Sequence, residues 1–234
     1  MKNVAGMGAR WLDVSAERFP GWISAFARRH GNAGQHGDPG QLEITPADGA
    51  VAFTAPDGAV ARCHPPFEES FALPPELTGP GEIAVAIEAH ARAPRAVGVL
   101  LVRLGGYAAG VFAGYPPALA DAKVGSRPVH GRSAAGGWSQ QRFARRREKQ
   151  VNEALDAAAD TAAAVFGRGP RLDAVVLGGD KRAVAGLRDD PRLAPYLAIA
   201  TERFLTVPDP RRAVLEGTPK LFTAVRISLT EPPA

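Results

Sequence analysis

The residues of this chain whose types and spacing could do chemistry lie between Gly125 and Gln150, in the run GSRPVHGRSAAGGWSQQRFARRREKQ. Two adjacent glycines, Gly136 and Gly137, let a backbone approach a ligand closely and take up dihedrals closed to other residues. Gln140 and Gln141 follow after Trp138 and Ser139. A carboxamide neither gains nor loses a proton near neutral pH, so neither glutamine is a general base. It can orient a water and hydrogen-bond a developing oxyanion, helped by neighbouring backbone N–H groups.

The same stretch is strongly basic. Lys123, Arg127, Arg132, Arg142, Arg145, Arg146, Arg147 and Lys149 face one acid, Glu148, while the rest of the chain holds 20 basic and 23 acidic residues. Positive charge concentrated on a slightly acidic body points to a polyanion. A helix beginning with Ser139 as its N-cap and running about 27 residues, on the order of 40 Å, puts Arg142, Arg145, Arg146 and Lys149 on one face at i, i+3, i+4 and i+7. Apolar residues recur helically at Val151, Leu155, Ala158, Ala162 and Val165, and Gly167 with Gly169-Pro170 supplies the stop. Acidic i,i+4 partners are expected to be absent from the basic face. The glycine-rich part, 125–137, cannot pack a core and is expected to be an exposed loop. A glutamine loop beside a phosphate-gripping helix suits an activated ester that brings its own proton relay. The ester of peptidyl-tRNA qualifies, because the vicinal 2′-hydroxyl of the terminal adenosine can carry the proton. Trp138 suits stacking on a nucleotide or a hydrophobic staple at the helix entry.

Other elements must position this segment. A helix is expected over 11–30, then a Gly/Asn/Asp/Pro loop over 31–40. Short strands over 42–45, 50–54 and 59–63, separated by Asp48-Gly49 and Asp57-Gly58, form a β-meander. Prolines at 65, 66, 74, 75 and 80 mark a boundary between an N-terminal region, 1–75, and a larger domain, 80–234. In the latter, strands over 97–104 and 107–114 flank Gly105-Gly106, with a third over 118–125. A buried strand over 172–177, a helix over 181–188, a strand over 204–207, a helix over 211–216 and a last strand over 221–229 follow. This order predicts an α/β fold with a mixed sheet flanked by helices.

With 234 residues and 45% hydrophobic content the chain can bury a sizeable core, and few aromatics with many alanines favour tight helix packing. No run approaches the roughly 20 apolar residues of a membrane span, and the start has no apolar signal region, so a cytoplasmic protein is expected. Cys63 is the single cysteine, which excludes an internal disulfide and multi-cysteine zinc sites. His30, His36, His64, His90 and His130 lack metal-ligand spacing, and Cys63-His64 reads as a strand end entering a turn.

The run from Gly125 to Gln150, between a β region and a long helix, resembles the actinobacterial branch of the Vms-like release factor family. That family is similar to the central domain of the eukaryotic class-one peptide release factor, whose Gly-Gly-Gln loop enters the peptidyl transferase centre. The resemblance spans 82–229. It implies a release-factor central-domain fold and a codon-independent peptidyl-tRNA hydrolase, a carboxylic ester hydrolase of ribosome-associated quality control. Its partners would be peptidyl-tRNA and the rRNA of the large ribosomal subunit, with no membrane, DNA, cofactor or metal. Carried over by residue, Gly136 and Gly137 are the paired glycines. Gln140 takes the catalytic position, with Gln141 as its alternative. Arg142, Arg145 and Arg146 face RNA, and Arg132, Lys149, Lys123, Arg127, Trp138 and Gln141 would extend that contact. The chain departs from the pattern in placing Trp138 and Ser139 between glycines and glutamine. With no room in 234 residues for a separate codon-reading domain, the resemblance implies rescue of stalled ribosomes.

Two rival readings use the same residues. A ribonuclease-H-like nuclease would need clustered carboxylates for magnesium, and Asp121, Asp173 and Asp180 are the set available. A non-catalytic RNA-binding or ribosome-docking module would use the arginine face for phosphates alone. Asp180 after Gly178-Gly179 otherwise reads as a helix N-cap.

Overall fold

Val and Leu crowd the strand Arg95–Arg103 (β5), and it is buried from Val97 to Val102, as expected of a strand covered on both faces. The computed structural model describes residues 9–31, 42–47, 49–103, 105–127 and 139–232, without the side chains of 139–144. The described chain forms two units, one up to Ala93 together with the residues from Thr223 onward, the other Pro94–Phe222. This partition differs from the boundary expected between 75 and 80, because the helix Pro80–Arg92 and the last strand both pack in the first unit.

The first unit holds strands Arg10–Val14 (β1), Glu43–Ala47 (β2), Ala50–Thr54 (β3) and Val60–His64 (β4), with helices Phe19–His30 (α1) and Pro80–Arg92 (α2). Val225–Thr230 (β10) completes an antiparallel sheet of order β1-β10-β4-β3-β2. The meander is therefore as expected, but the expected 11–30 helix begins only at Phe19: its first turns are replaced by β1 and a 3-10 turn at Ala16–Arg18. The cause is pairing between chain ends, with Leu12 opposite Ile227 and Val14 opposite Val225. Phe19, Ile23 and Phe26 of α1 and Ile83 and Ile87 of α2 cover one sheet face over Phe53, Cys63 and Ile227. Burial pushes the Cys63 thiol up, which leaves it a core residue, not a nucleophile. Cys63-His64 ends β4 and enters a turn, as read from the sequence.

In the second unit β5 is followed by Gly106–Gly114 (β6) and Ala118–Ser126 (β7), then helix Ser139–Arg168 (α3), strand Ala174–Gly179 (β8), and helices Lys181–Ala185 (α4) and Ala194–Leu197 (α5). Ala200–Leu205 (β9), Arg212–Glu216 (α6) and Pro219–Phe222 (α7) follow. The sheet order is β7-β6-β5-β8-β9: β7, β6 and β5 run antiparallel, while β5, β8 and β9 are parallel. This is the mixed sheet flanked by helices that the element order predicts. The last strand is the exception, since β10 joins the other sheet.

Ala158, Ala159, Ala162, Val165 and Phe166 seat α3 on the sheet face carrying Leu100, Val102, Ala109 and Val111. Alanine side chains let the helix lie close, which is where the alanine-rich composition is used. Gly98 serves the same packing, since a β-carbon there would fall 2.7 Å from Leu172 Cδ1. On the opposite face Phe112 meets Phe222 edge-on, with ring centroids 5.7 Å apart.

Candidate nucleic-acid interface

Two elements emerge from the second unit towards the chemistry-bearing run, and each is fixed at its base. Among the described residues β7 is an edge strand, paired with β6 alone. Its end is fastened where the Arg127 N–H donates to the Gly105 carbonyl at 2.7 Å. Lys123 and Arg127 are both exposed. From here the chain passes to residues 128–138, so Arg132, Gly136, Gly137 and Trp138 lie outside the described residues.

Across that interval α3 begins at Ser139 and extends 30 residues, about 45 Å at ~1.5 Å per residue. It is slightly longer than expected, because it continues through Gly167 to Arg168. Ser139, expected as the N-cap, is itself helical, a difference within the usual spread of helix boundaries. The backbones of Gln140, Gln141 and Arg142 are in the first turn of α3, and their side chains lie outside the described residues.

The buried side chains of α3 among the described residues all lie in its rear half. Among the described side chains none before Ala154 is buried, whereas Ala154, Ala158, Ala159, Thr161, Ala162, Val165 and Phe166 are. Two sets of ion pairs reinforce that half. Arg168 donates to Asp121 on β7 through Nε and Nη2, at 3.0 and 2.8 Å. Arg192 donates to Asp160 and, at 3.2 Å, to Asp156. The front half therefore stands as a supported rod with Arg145, Arg146 and Lys149 exposed on it.

The basic face is not entirely without acidic partners, contrary to expectation. Lys149 Nζ lies 3.8 Å from Glu153 Oε1, four residues on. That i,i+4 spacing is visible in the sequence, and the expectation overlooked it. Both side chains are more than half exposed, so the pair neutralises little. Arg145 and Arg146 have no ion-pair partner among the described residues.

Beside the root of β7 is an open cleft of about 550 Å³, lined by Arg103, Arg127 and Arg211, by Asp209, and by the backbone of Gly105, Gly106 and Gly125. Arg103 is held in place: its Nη1 donates to the Val207 carbonyl at 2.9 Å and its Nε lies 3.5 Å from Asp209 Oδ1. Sequence reasoning singles out Arg127 here and misses Arg103 and Arg211. No periodicity relates positions 103, 127 and 211; the fold alone gathers them.

The carboxylates of the nuclease reading are engaged separately. Asp121 is paired with Arg168. Asp173 accepts from the Ala96 N–H at 2.7 Å, and Asp180 caps α4 by accepting from the Arg182 and Ala183 N–H groups. Asp173 and Asp180 stand at opposite ends of β8, roughly 20 Å apart at ~3.3 Å per residue, too far to share an ion. The N-cap reading of Asp180 is the one the geometry supports. No three His, Cys, Asp or Glu side chains gather in a metal-binding group among the described residues, and no described helix is long and apolar enough to cross a membrane.

Residues 95–228 match the family model described as Actinobacteria/chloroflexi VLRF1 release factor. No curated protein matches the sequence. Among solved structures, the chain is similar to an archaeal translation termination factor, aRF1, at 16% identity and a TM-score of 0.41, covering 73% of this chain and 51% of that one. This chain thus spans about half the length of that factor. It is also similar to the Vms1 mitochondrial localization core, at 11% identity and a TM-score of 0.35, covering 79% of this chain and 77% of the other.

Proposed function

The chain belongs to the Actinobacteria/chloroflexi VLRF1 release factor family, and we propose that within it this protein is a codon-independent peptidyl-tRNA hydrolase acting on stalled large ribosomal subunits in the cytoplasm. The observation that carries the reading is the form of α3: a long helix whose buried side chains, among those described, lie in its rear half, with an arginine face on the half that leads to the diglycine. Lys123, Arg127, Arg132, Arg142, Arg145, Arg146 and Lys149 grip phosphates of tRNA and rRNA, and Trp138 stacks on a nucleotide. Backbone amides at the start of α3 and the positive end of its dipole favour the same anions.

Gly136 and Gly137 bring the backbone against the ester, and Gln140, or Gln141 in its place, orients the attacking water. Water adds to the ester carbonyl, and the glutamine amide and backbone N–H groups stabilise the oxyanion. The bond to the 3′-oxygen then breaks. The 2′-hydroxyl of the terminal adenosine relays the proton to that leaving oxygen, so the protein supplies no acid or base.

A release assay on purified large subunits carrying peptidyl-tRNA tests this, with wild type and the single variants Gln140→Ala and Gln141→Ala. Loss of an oxyanion-stabilising donor lowers turnover by about 100-fold or more, so Gln140→Ala is expected to lose release at that scale while still binding the subunit. Full release by both variants would overturn the catalytic assignment and leave a docking module.

A further inference from the structure

A second cavity, of about 240 Å³, adjoins the arginine cleft and shares Arg103, Gly105 and Gly106 with it. Its walls are Val102 and Tyr107 from the sheet and Val151, Ala154 and Leu155 from α3, with Asp180 and Arg182 also lining it. We propose that cleft and cavity together bind one nucleotide of a single-stranded RNA segment. The phosphate sits among Arg103, Arg127 and Arg211, and the unstacked base enters the apolar cavity against Tyr107. This rests on the reading of the protein as an RNA-facing factor, and adds a site beside the Gly105-Gly106 turn that grips RNA without touching the ester.

Charge selects the occupant. The cleft sets three guanidinium groups against one carboxylate, Asp209, which already pairs with Arg103. The guanidinium groups of Arg127 and Arg211 have no hydrogen-bond or ion-pair partner among the described residues, so two cations are available to an anion. Bare glycine backbone on the cleft floor allows a phosphate oxygen close approach. The apolar cavity is smaller than the roughly 300 Å³ at which drug-sized sites begin, so it holds one or two rings and not an extended chain. An apolar ring slot opening onto a cationic cleft matches a base joined to its phosphate, and the stacking of bases on aromatic side chains is how single strands are held. Tyr107 is well placed for it, since its ring is braced from behind by the backbone of Gly125.

The test uses the full-length protein and a fluorescein-labelled single-stranded RNA dodecamer of mixed sequence, compared with an abasic dodecamer of the same ribose-phosphate backbone. Fluorescence anisotropy is measured across a salt series for wild type, Arg127→Ala/Arg211→Ala, and Leu155→Phe, which fills the cavity. The intact probe is expected to bind wild type about tenfold more tightly than the abasic one, and Leu155→Phe to remove that preference. The double arginine variant is expected to lower the slope of log affinity against log salt by about 0.7, the contribution of the one phosphate the pair neutralises. An unchanged slope would overturn the phosphate site. Equal binding of intact and abasic probes by wild type, which needs no variant to fold, would overturn the base site and leave the cavity to an apolar side chain of a protein. Peptide release plays no part in the readout. Loss of release with these results intact would sink the hydrolase reading alone, and normal release with these results absent would sink only the nucleotide site.

Discussion

The ring of Tyr107 lies against the bare backbone of Gly125: a β-carbon at that glycine would fall 2.5 Å from both Cζ and the phenolic oxygen. The two residues are register partners on β6 and β7, so the contact belongs to the sheet itself. Gly125→Ala should therefore force the ring aside and destabilise the protein by about 1–3 kcal/mol, as overpacking does. Thermal unfolding would show this as a loss of several degrees. In Gly125→Ala/Tyr107→Leu the clash has no ring to meet, and the melting temperature should fall by less than the sum of the two single effects. Additive losses would mean the contact carries no energy.

Gly179 is a harsher case. Its φ is +103°, a conformation L side chains rarely adopt, and a β-carbon would lie 2.2 Å from the Val102 carbonyl oxygen. That oxygen accepts the Asp180 N–H at 2.7 Å, so it cannot turn away without breaking the junction of β5, β8 and α4. Gly179→Ala is expected to destabilise by about 4 kcal/mol or more, and clearly more than Gly125→Ala. A soluble variant melting near wild type would show that the junction yields.

These two glycines also mark what the sequence made legible. Gly58 has a φ of +91° and Gly105 of +82°, and Asp-Gly and Gly-Gly pairs announce such turns, so the hairpins could be read from local residues. The α3 helix was legible for the same reason: its apolar positions repeat at helical steps. What could not be read depends on partners far along the chain. Strand β1 has an alternating pattern only in retrospect, once Arg10 is seen opposite Leu229. The candidate site divides the same way. Arg145 and Arg146 stand out as a charge run, whereas Arg103 and Arg211 become site residues only because the hairpin turn and the segment before α6 meet beside Arg127.

The anchorage of α3 through Arg192 should depend on pH. Arg192 hydrogen-bonds Asp190, and this holds the Asp190 carboxyl below its usual value of 3.8. A carboxylate whose pKa is depressed in the folded state stabilises above its unfolded pKa and loses that contribution as pH falls through the folded value. The melting temperature should thus keep this contribution from neutral pH down to about 4, then lose it on further acidification. Asp190→Asn should flatten that part of the acid limb and lower the neutral melting temperature modestly. The network is partly exposed, so an effect of about 1 kcal/mol or less corresponds to a shift within ~4 °C. Parallel acid limbs in variant and wild type would contradict the assignment.

Arg145 and Lys149 face each other at i,i+4 on the exposed half of α3, and like charges at that spacing destabilise a helix by about 0.2–0.5 kcal/mol. A purely structural role for Arg145 is therefore hard to sustain: removing it should leave the melting temperature unchanged or slightly raised. If the face grips RNA, Arg145→Ala should at the same time weaken binding to large subunits and reduce its salt dependence. Lys149 differs because Glu153 sits 3.8 Å from its ammonium. Lys149→Ala should then weaken binding less than Arg145→Ala, and Glu153→Gln should strengthen it slightly by releasing the lysine. Sedimentation binding at several salt concentrations, paired with melting curves for the same variants, separates the two roles. Affinity falling while stability holds is the signature of a nucleic-acid face. Stability falling with affinity untouched would make the stripe a solvated helix surface and remove the rod from the mechanism.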